Sequence, residues 1–310
     1  MPGVDIFNDI HGRIAMFRAL MKLRGYDDHG WHPDGYKIVL LGDVGDASGP
    51  EGTTPEEQRE TMEYVMDLYA RGNLDSYLGN HEFNSIAYVT EGRNGYIREH
   101  TEANFGYQRD FLTAYPPGSQ GHADVISLFK KFRLYDRKEG YNIVHACWSE
   151  NAIEVCSPYL NEDHTLTEEA YQQFDLKEQS PVYDALRLML WGPTYYMPKG
   201  TTIEDGRGRP IDYSRFGWWN DPDVPDEDVF YRGPSFLPKL PPEEREKVVK
   251  LRHDFQYAGQ NVVFIGHYCM PYTPAILSPK VACLDFNGHM ATYRWDDGDT
   301  ALDPAKLICV

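Results

Sequence analysis

Eight side chains of this sequence have the types and the spacing of a reaction centre. They fall into five short groups: Asp9 and His11 in Asp9-Ile10-His11-Gly12, Asp43 and Asp46 in Gly42-Asp43-Val44-Gly45-Asp46, Asn80 and His81 in Gly79-Asn80-His81-Glu82, then His145, then Gly266-His267. Imidazoles and carboxylates without thiolates suit Mn, Fe, Zn, Ni or Mg better than a structural zinc. Two divalent ions about 3.5–4 Å apart need a shared ligand, and one carboxylate can bridge them with its two oxygens. A lone histidine is usually a packed or solvated residue. His29, His32, His100, His122, His164, His253 and His289 read that way, since none follows an apolar strand.

What sets the five groups apart is the element in front of each. Val4–Asn8, Ile38–Leu41, Tyr141–Ala146 and Asn261–Ile265 are short apolar-rich runs of strand length, residues 75–78 read as a short strand, and each delivers its candidate residues at its carboxyl end. In open α/β sheets that end is where ligands bind. Residues 13–24 carry apolar positions at helical spacing. A second helix opens at Pro55-Glu56-Glu57, capped by Thr54, and runs to about Arg71. Further helical patterns lie near 107–114, 122–132, 167–175, 181–190 and 243–257. Two β-rich runs, 281–286 and 290–296, flank Asn287-Gly288, which reads as a hairpin turn.

Strand–helix alternation in the first hundred residues predicts an α/β fold, and the closing hairpin predicts a second sheet against the first. The expectation is a two-sheet β-sandwich flanked by helices, four αββα layers, forming one domain over 1–310. Residues 151–257, rich in Pro, Gly, acids and aromatics, read as a cap-like insertion packed over the core.

With 30 Lys and Arg against 48 Asp and Glu, the 310-residue chain carries a formal charge of -18. That argues against a groove for long nucleic-acid backbone, which needs clustered cations, and it tolerates bound metal ions. No window has the apolar length of a membrane span. The N-terminal residues show neither a basic n-region nor an apolar h-region. Five scattered cysteines without a C-x-x-C pair read as reduced thiols of a cytoplasmic protein.

In these blocks, D-x-H-G, G-D-x-x-D, G-N-H-E, a strand-ending His and G-H, the chain resembles the calcineurin-like metallophosphoesterases, within them the Ser/Thr-phosphatase-like branch. The endings HACW at 145–148 and CLDFNGHMATYRWDDG at 283–298 look like a bacterial and phage group of that family. The resemblance spans about 1–150 and 258–296. It implies a first metal ion on Asp9, His11 and Asp43, and a second on Asp43, Asn80, His145 and His267, with Asp43 bridging and manganese as the leading metal. The ions would activate a water that attacks phosphorus in line as hydroxide. His81 would protonate the leaving oxygen, and Asp46 would orient its imidazole.

The departures from the family pattern concern the substrate. That branch follows its second Asp with an Arg that clamps phosphate, whereas Ala47-Ser48-Gly49-Pro50 stand here. Arg98 is the leading replacement, with Arg93, Arg207 and Arg209 as others, and Trp148 and Glu150 are expected at the wall of the site. Cys269 occupies the position of a second His in G-H-x-H, so a water is expected to complete the first metal ion. The aromatic pairs Tyr195-Tyr196, Trp218-Trp219 and Phe230-Tyr231 are expected to form the insertion's own small core before any role in stacking a base.

The implied activity is hydrolysis of phosphomonoesters, on a phosphoprotein or a small molecule. The alternatives are a phosphodiesterase or a dinucleoside polyphosphate (diadenosine tetraphosphate-type) hydrolase of the same fold, and a non-catalytic scaffold, which retention of all eight residues disfavours.

Overall fold

The structure is a computed structural model that describes residues 3–45, 53–204, 210–219, 240–270, 273–276 and 278–310. Its elements in chain order begin with β1 (Gly3–Phe7), α1 (Ile14–Arg24), β2 (Lys37–Leu40), α2 (Pro55–Ala70), β3 (Leu74–Ser76) and α3 (Asn80–Val89). The two-residue strands β4 (Glu91–Gly92) and β5 (Gly95–Tyr96) and helices α4 (Glu102–Tyr107), α5 (Arg109–Ala114) and α6 (Gln120–Phe129) follow. Next come β6 (Tyr135–Arg137), β7 (Tyr141–Val144), α7 (Glu150–Cys156), α8 (Glu168–Asp175) and α9 (Pro181–Trp191). Short strands β8 (Thr194–Tyr196), β9 (Ile203–Glu204), β10 (Pro210–Ile211) and β11 (Tyr213–Arg215) precede α10 (Pro242–Phe255). The chain closes with β12 (Val262–Ile265), β13 (Val281–Cys283), β14 (Ala291–Asp296) and β15 (Leu307–Cys309).

Two sheets carry the fold. One has the order β15-β14-β1-β2-β3, the other β13-β12-β7-β6. Within the first, β1, β2 and β3 are parallel; within the second, β7, β12 and β13 are parallel. Strand β12 (VVFI) and the Ile38–Leu40 part of β2 are apolar without a break because both faces are covered. Val39 and Leu41 enter a core with Tyr141, Ile143, Val262, Phe264 and Trp295, so this layer lies between the sheets. The alternate residues Ile38, Leu40, Val263 and Ile265 turn outward, into a larger core shared with the helices. This is the expected sandwich with helical outer layers.

The second sheet does not arise as the sequence suggested. Residues 281–286 and 290–296 are not paired as a hairpin: β13 joins the second sheet in parallel with β12, and β14 joins the first, antiparallel to β1. The turn at Asn287-Gly288 is present, closed by a single bridge between Phe286 and His289. It carries the chain from one sheet to the other, so its strands diverge.

Between β7 and β12, helices α7, α8 and α9 share the main core through residues such as Ile153, Tyr171 and Leu186. A separate small cluster holds Tyr195, Met197, Phe216, Leu240 and Val248. Trp218 and Trp219 are buried in the main core instead, and Tyr196 is 57% exposed. Phe230 and Tyr231 lie outside the described residues.

Candidate metal centre

Three parallel strands in each sheet point their carboxyl ends the same way, and the ligand-type residues follow five of those six ends. Three of them, His11, Asp43 and His267, have positive φ angles of 50°, 49° and 71°. Non-glycine residues held there cost about 1–3 kcal/mol each and gather at functional sites. Glycine makes the close approach possible. A Cβ on Gly79 would lie 2.2 Å from Asp43 Oδ1, and one on Gly42 (φ 107°) would lie 2.6 Å from the Gly79 nitrogen.

Asp43 is the hub. Its Oδ1 accepts the His81 N–H at 2.9 Å, a first-turn amide of α3, so the positive end of that helix faces the carboxylate. Its Oδ2 lies 3.4 Å from His145 Nε2, 3.8 Å from His81 Nε2 and 4.0 Å from His11 Nε2. Burial raises the Asp43 pKa, but the imidazoles of His145, His81 and His11 outweigh it and hold the carboxyl well below the usual range. Glu82 fixes the loop from behind. Its Oε2 accepts the N–H groups of Asp43 (2.8 Å) and Gly79 (3.0 Å), and its Oε1 that of Val44 (2.8 Å). Burial and the nearby Asp43 charge push its own pKa up to about 7.

His145, fully buried at the end of β7, has Nδ1 2.8 Å from the Leu41 carbonyl. That contact fixes the tautomer with the proton on Nδ1 and leaves the Nε2 lone pair for a metal ion. Burial disfavours its charged form, yet the Asp43 carboxylate prevails and pushes the pKa up to about 9. Asn80 Oδ1 lies 3.1 Å from His145 Nε2 and 2.6 Å from His267 Nδ1. The His267 N–H donates to Asp9 Oδ2 at 2.7 Å. Burial, and then the Arg215 guanidinium, hold the His267 pKa well below the ordinary range. Burial and the Asp285 carboxylate raise that of Asp9 well above it.

The donor set fits two cations. Among the described residues, the ligand atoms of His11, Asp43 and His81 lie within 4.8 Å of one another, and so do those of Asp43, His145 and His267. Asp43 belongs to both. Asp9 Oδ1 and His267 Nε2 are buried without a hydrogen-bond partner, an arrangement that is costly unless another group supplies the partner. Nitrogen and oxygen donors with one shared carboxylate suit a binuclear site for hard or borderline divalent ions.

The remaining predicted residues lie around this centre or away from it. Asp46 and the arginines 207 and 209 fall outside the described residues. Arg98 donates to Asn84 Oδ1 at 2.6 Å, about one turn along α3 from His81. Arg93 is exposed, and its backbone N–H bonds to Asp175. Trp148 is buried against Tyr135, under the Arg137 guanidinium, and donates to Glu150, which is itself paired with Arg137. Cys269 has a positive φ of 43°, and its N–H donates to Asp285.

Sequence reasoning missed three features. Helix α3 begins at Asn80, and Glu82 three residues after Gly79 was a legible start signal. Asp285 was hidden by the hairpin reading. Arg215 had no local signal. It is placed by packing: the Trp218 indole N–H is shared between the Ala146 carbonyl (3.0 Å) and the Tyr268 hydroxyl (3.1 Å). Those residues follow His145 and His267, so the segment just after β11 is docked against the loops that carry both histidines. Among the described residues no carboxylate pairs with the Arg215 guanidinium; its neighbour is the Tyr213 ring at 5.9 Å.

No family model matches this sequence. A bis(5'-nucleosyl)-tetraphosphatase of the asymmetrical type from Geobacillus sp. (strain WCH70) is 35% identical over 137 residues, 43% of this chain and 49% of the relative. The chain thus spans about half the length of the curated relative it matches. Among solved structures, a putative diadenosine tetraphosphatase overlays with a TM-score of 0.45 at 14% identity, over 100% of this chain and 93% of that one. A protein serine/threonine phosphatase from Saccharomyces cerevisiae overlays with a TM-score of 0.48 at 13% identity, over 100% and 79%. Over those 137 residues, the chain is similar to an asymmetrical bis(5'-nucleosyl)-tetraphosphatase, in keeping with the metallophosphoesterase resemblance of its motifs.

Proposed function

We propose that the chain is a metal-dependent hydrolase of phosphate esters, with phosphomonoesters as its leading substrates. The observation that carries this reading is the buried Asp43 carboxylate, shared by two clusters of ligand atoms each within 4.8 Å. Asp9, His11 and Asp43 would hold one divalent ion, and Asp43, Asn80, His145 and His267 the other, with manganese as the leading metal. When bound, the ions supply Lewis acidity toward the phosphoryl oxygens and an activated water.

The chain's own groups do the rest. His81 is 17% exposed at its side chain, against 3% for Asp43, so it stands on the solvent side of the hub. It delivers the proton to the leaving oxygen. Glu82 and the α3 N-terminus hold Asp43 in place throughout. Arg215, reaching the centre from the inserted segment, takes the role of the absent phosphate clamp. A guanidinium that no carboxylate of the described residues engages can pair with phosphate oxygens.

A second reading is favoured by the 35% identical relative: a dinucleoside polyphosphate, cleaved at an anhydride by the same groups. Among the described residues no helix is long and apolar enough to cross a membrane. All five cysteines are unpaired, which supports a cytoplasmic setting.

The test is a panel of p-nitrophenyl phosphate, its bis ester and diadenosine tetraphosphate, each with added Mn²⁺. Turnover of the monoester above the others supports the leading reading. Preference for the tetraphosphate promotes the second, and no turnover of any of the three contradicts both.

A further inference from the structure

Six parallel strands aim their carboxyl ends at the centre, and the proposed ligands use five of them. The sixth, β13, delivers Asp285, which is 2% exposed. Its Oδ2 accepts the N–H of Cys269. Two residues earlier, the His267 N–H goes to Asp9 Oδ2 at 2.7 Å. Two buried carboxylates therefore grip one three-residue turn, whose end residues His267 and Cys269 have φ angles of 71° and 43°. The Met270 N–H donates to the Asp285 carbonyl at 2.8 Å, pinning the same segment.

Arg13 and His145 offset this charge only in part, since each carboxyl is still held above its usual pKa range. Among the described residues no Lys or Arg side chain pairs with Asp9 or Asp285. Arg13, the basic residue that acts on Asp285, spends its Nε and Nη2 on the carbonyls of Ile10 and Asp9. Asp9 Oδ1 is buried without a partner. Two carboxylates buried side by side repel each other unless a cation lies between or beside them.

We propose that Asp285 is a positioning residue for the first metal ion: it holds the His267–Cys269 turn against Asp9 and adds a negative charge that a cation on Asp9 balances. The inference rests on the binuclear reading given above. Residues behind a ligand that orient it or tune its charge typically change metal affinity by about 10–100-fold.

The experiment is calorimetric titration of Mn²⁺ into the full-length wild type and Asp285→Asn. The amide keeps an oxygen for the Cys269 N–H and removes only the charge. The expected result is two ions on the wild type, and on the variant one ion weakened by about tenfold or more, with the other unchanged. Asp285→Glu, which retains the charge, should recover most of that loss. If the amide variant does not fold, Asp285→Ser, neutral and smaller, should weaken the ion on Asp9 at least as much. Wild-type affinity for both ions in a neutral variant overturns the inference while leaving the binuclear reading intact. A wild type that binds no ion overturns that reading and the inference with it.

Discussion

Replacing Gly266 by Ala should weaken the binding of one metal ion without unfolding the chain. Gly266 precedes His267 at the end of β12, and its φ is not in the left-handed region. The substitution therefore carries no backbone penalty of its own. A Cβ there would lie 1.9 Å from Asp9 Oδ1 and 2.9 Å from its Cγ. Ordinary contact begins near 3.4 Å, so the carboxylate must retreat by roughly 1.5 Å. That movement breaks the 2.7 Å bond from the His267 N–H to Asp9 Oδ2, a bond to a charged acceptor worth about 1.5–3 kcal/mol. It also displaces Asp9 from any ion it binds. Moving a ligand out of place should cost at least as much affinity as loss of a residue behind a ligand, about 10–100-fold. Mn²⁺ titration should show one weakened site and one at wild-type strength, with circular dichroism unchanged. Wild-type binding of two ions by Gly266→Ala would refute the assignment of Asp9 as a ligand.

Other consequences are as direct. His81→Ala should keep both ions and lose about 10²–10⁴-fold in kcat; because His81 also lies within reach of Asp43, a variant that loses a metal ion would make His81 a ligand and overturn its role as the acid. Arg215→Ala should lower kcat/KM for a phosphomonoester by about tenfold or more, the value of one charged hydrogen bond, with Arg215→Lys recovering part of it; unchanged kinetics would move the phosphate contact elsewhere. Metal loading should release protons, since His145 in the metal-free protein is pushed up to about 9 and must lose its proton to bind. Its raised pKa means that the competing proton is held below pH 9, so Mn²⁺ affinity should rise about tenfold from pH 7 to 8 and level off toward pH 9; a flat profile in calorimetry across buffers of differing ionisation enthalpy would contradict this.

The parts of the fold that were legible are those that local chemistry dictates. Strands buried on both faces read as unbroken apolar runs, as in Ile38–Leu41 and Val262–Ile265, and their polar ends announced the centre. The Thr54 cap and Pro55 start of α2 read correctly, and the Thr54–Glu57 pair closes as a capping box. What escaped depended on distant contacts. Asn287-Gly288 makes a turn, but which sheet receives each flanking run is decided by packing between the layers, not by the turn. That misreading concealed β13 as a sixth parallel strand, and with it Asp285. Arg215 lies far in sequence from the other residues of the candidate centre, and its influence on His267 depends on long-range packing, such as that of Trp218 on Ala146 and Tyr268.

The central claim is that two cations share Asp43. The most direct measurement is electron paramagnetic resonance of the protein loaded with Mn²⁺, with metal content determined in parallel. The account predicts two ions per chain and a spin-coupled spectrum, as expected for ions about 3.5–4 Å apart, with the coupling abolished in Asp43→Asn. One ion per chain, or two giving only the uncoupled spectrum of isolated Mn²⁺, would contradict it.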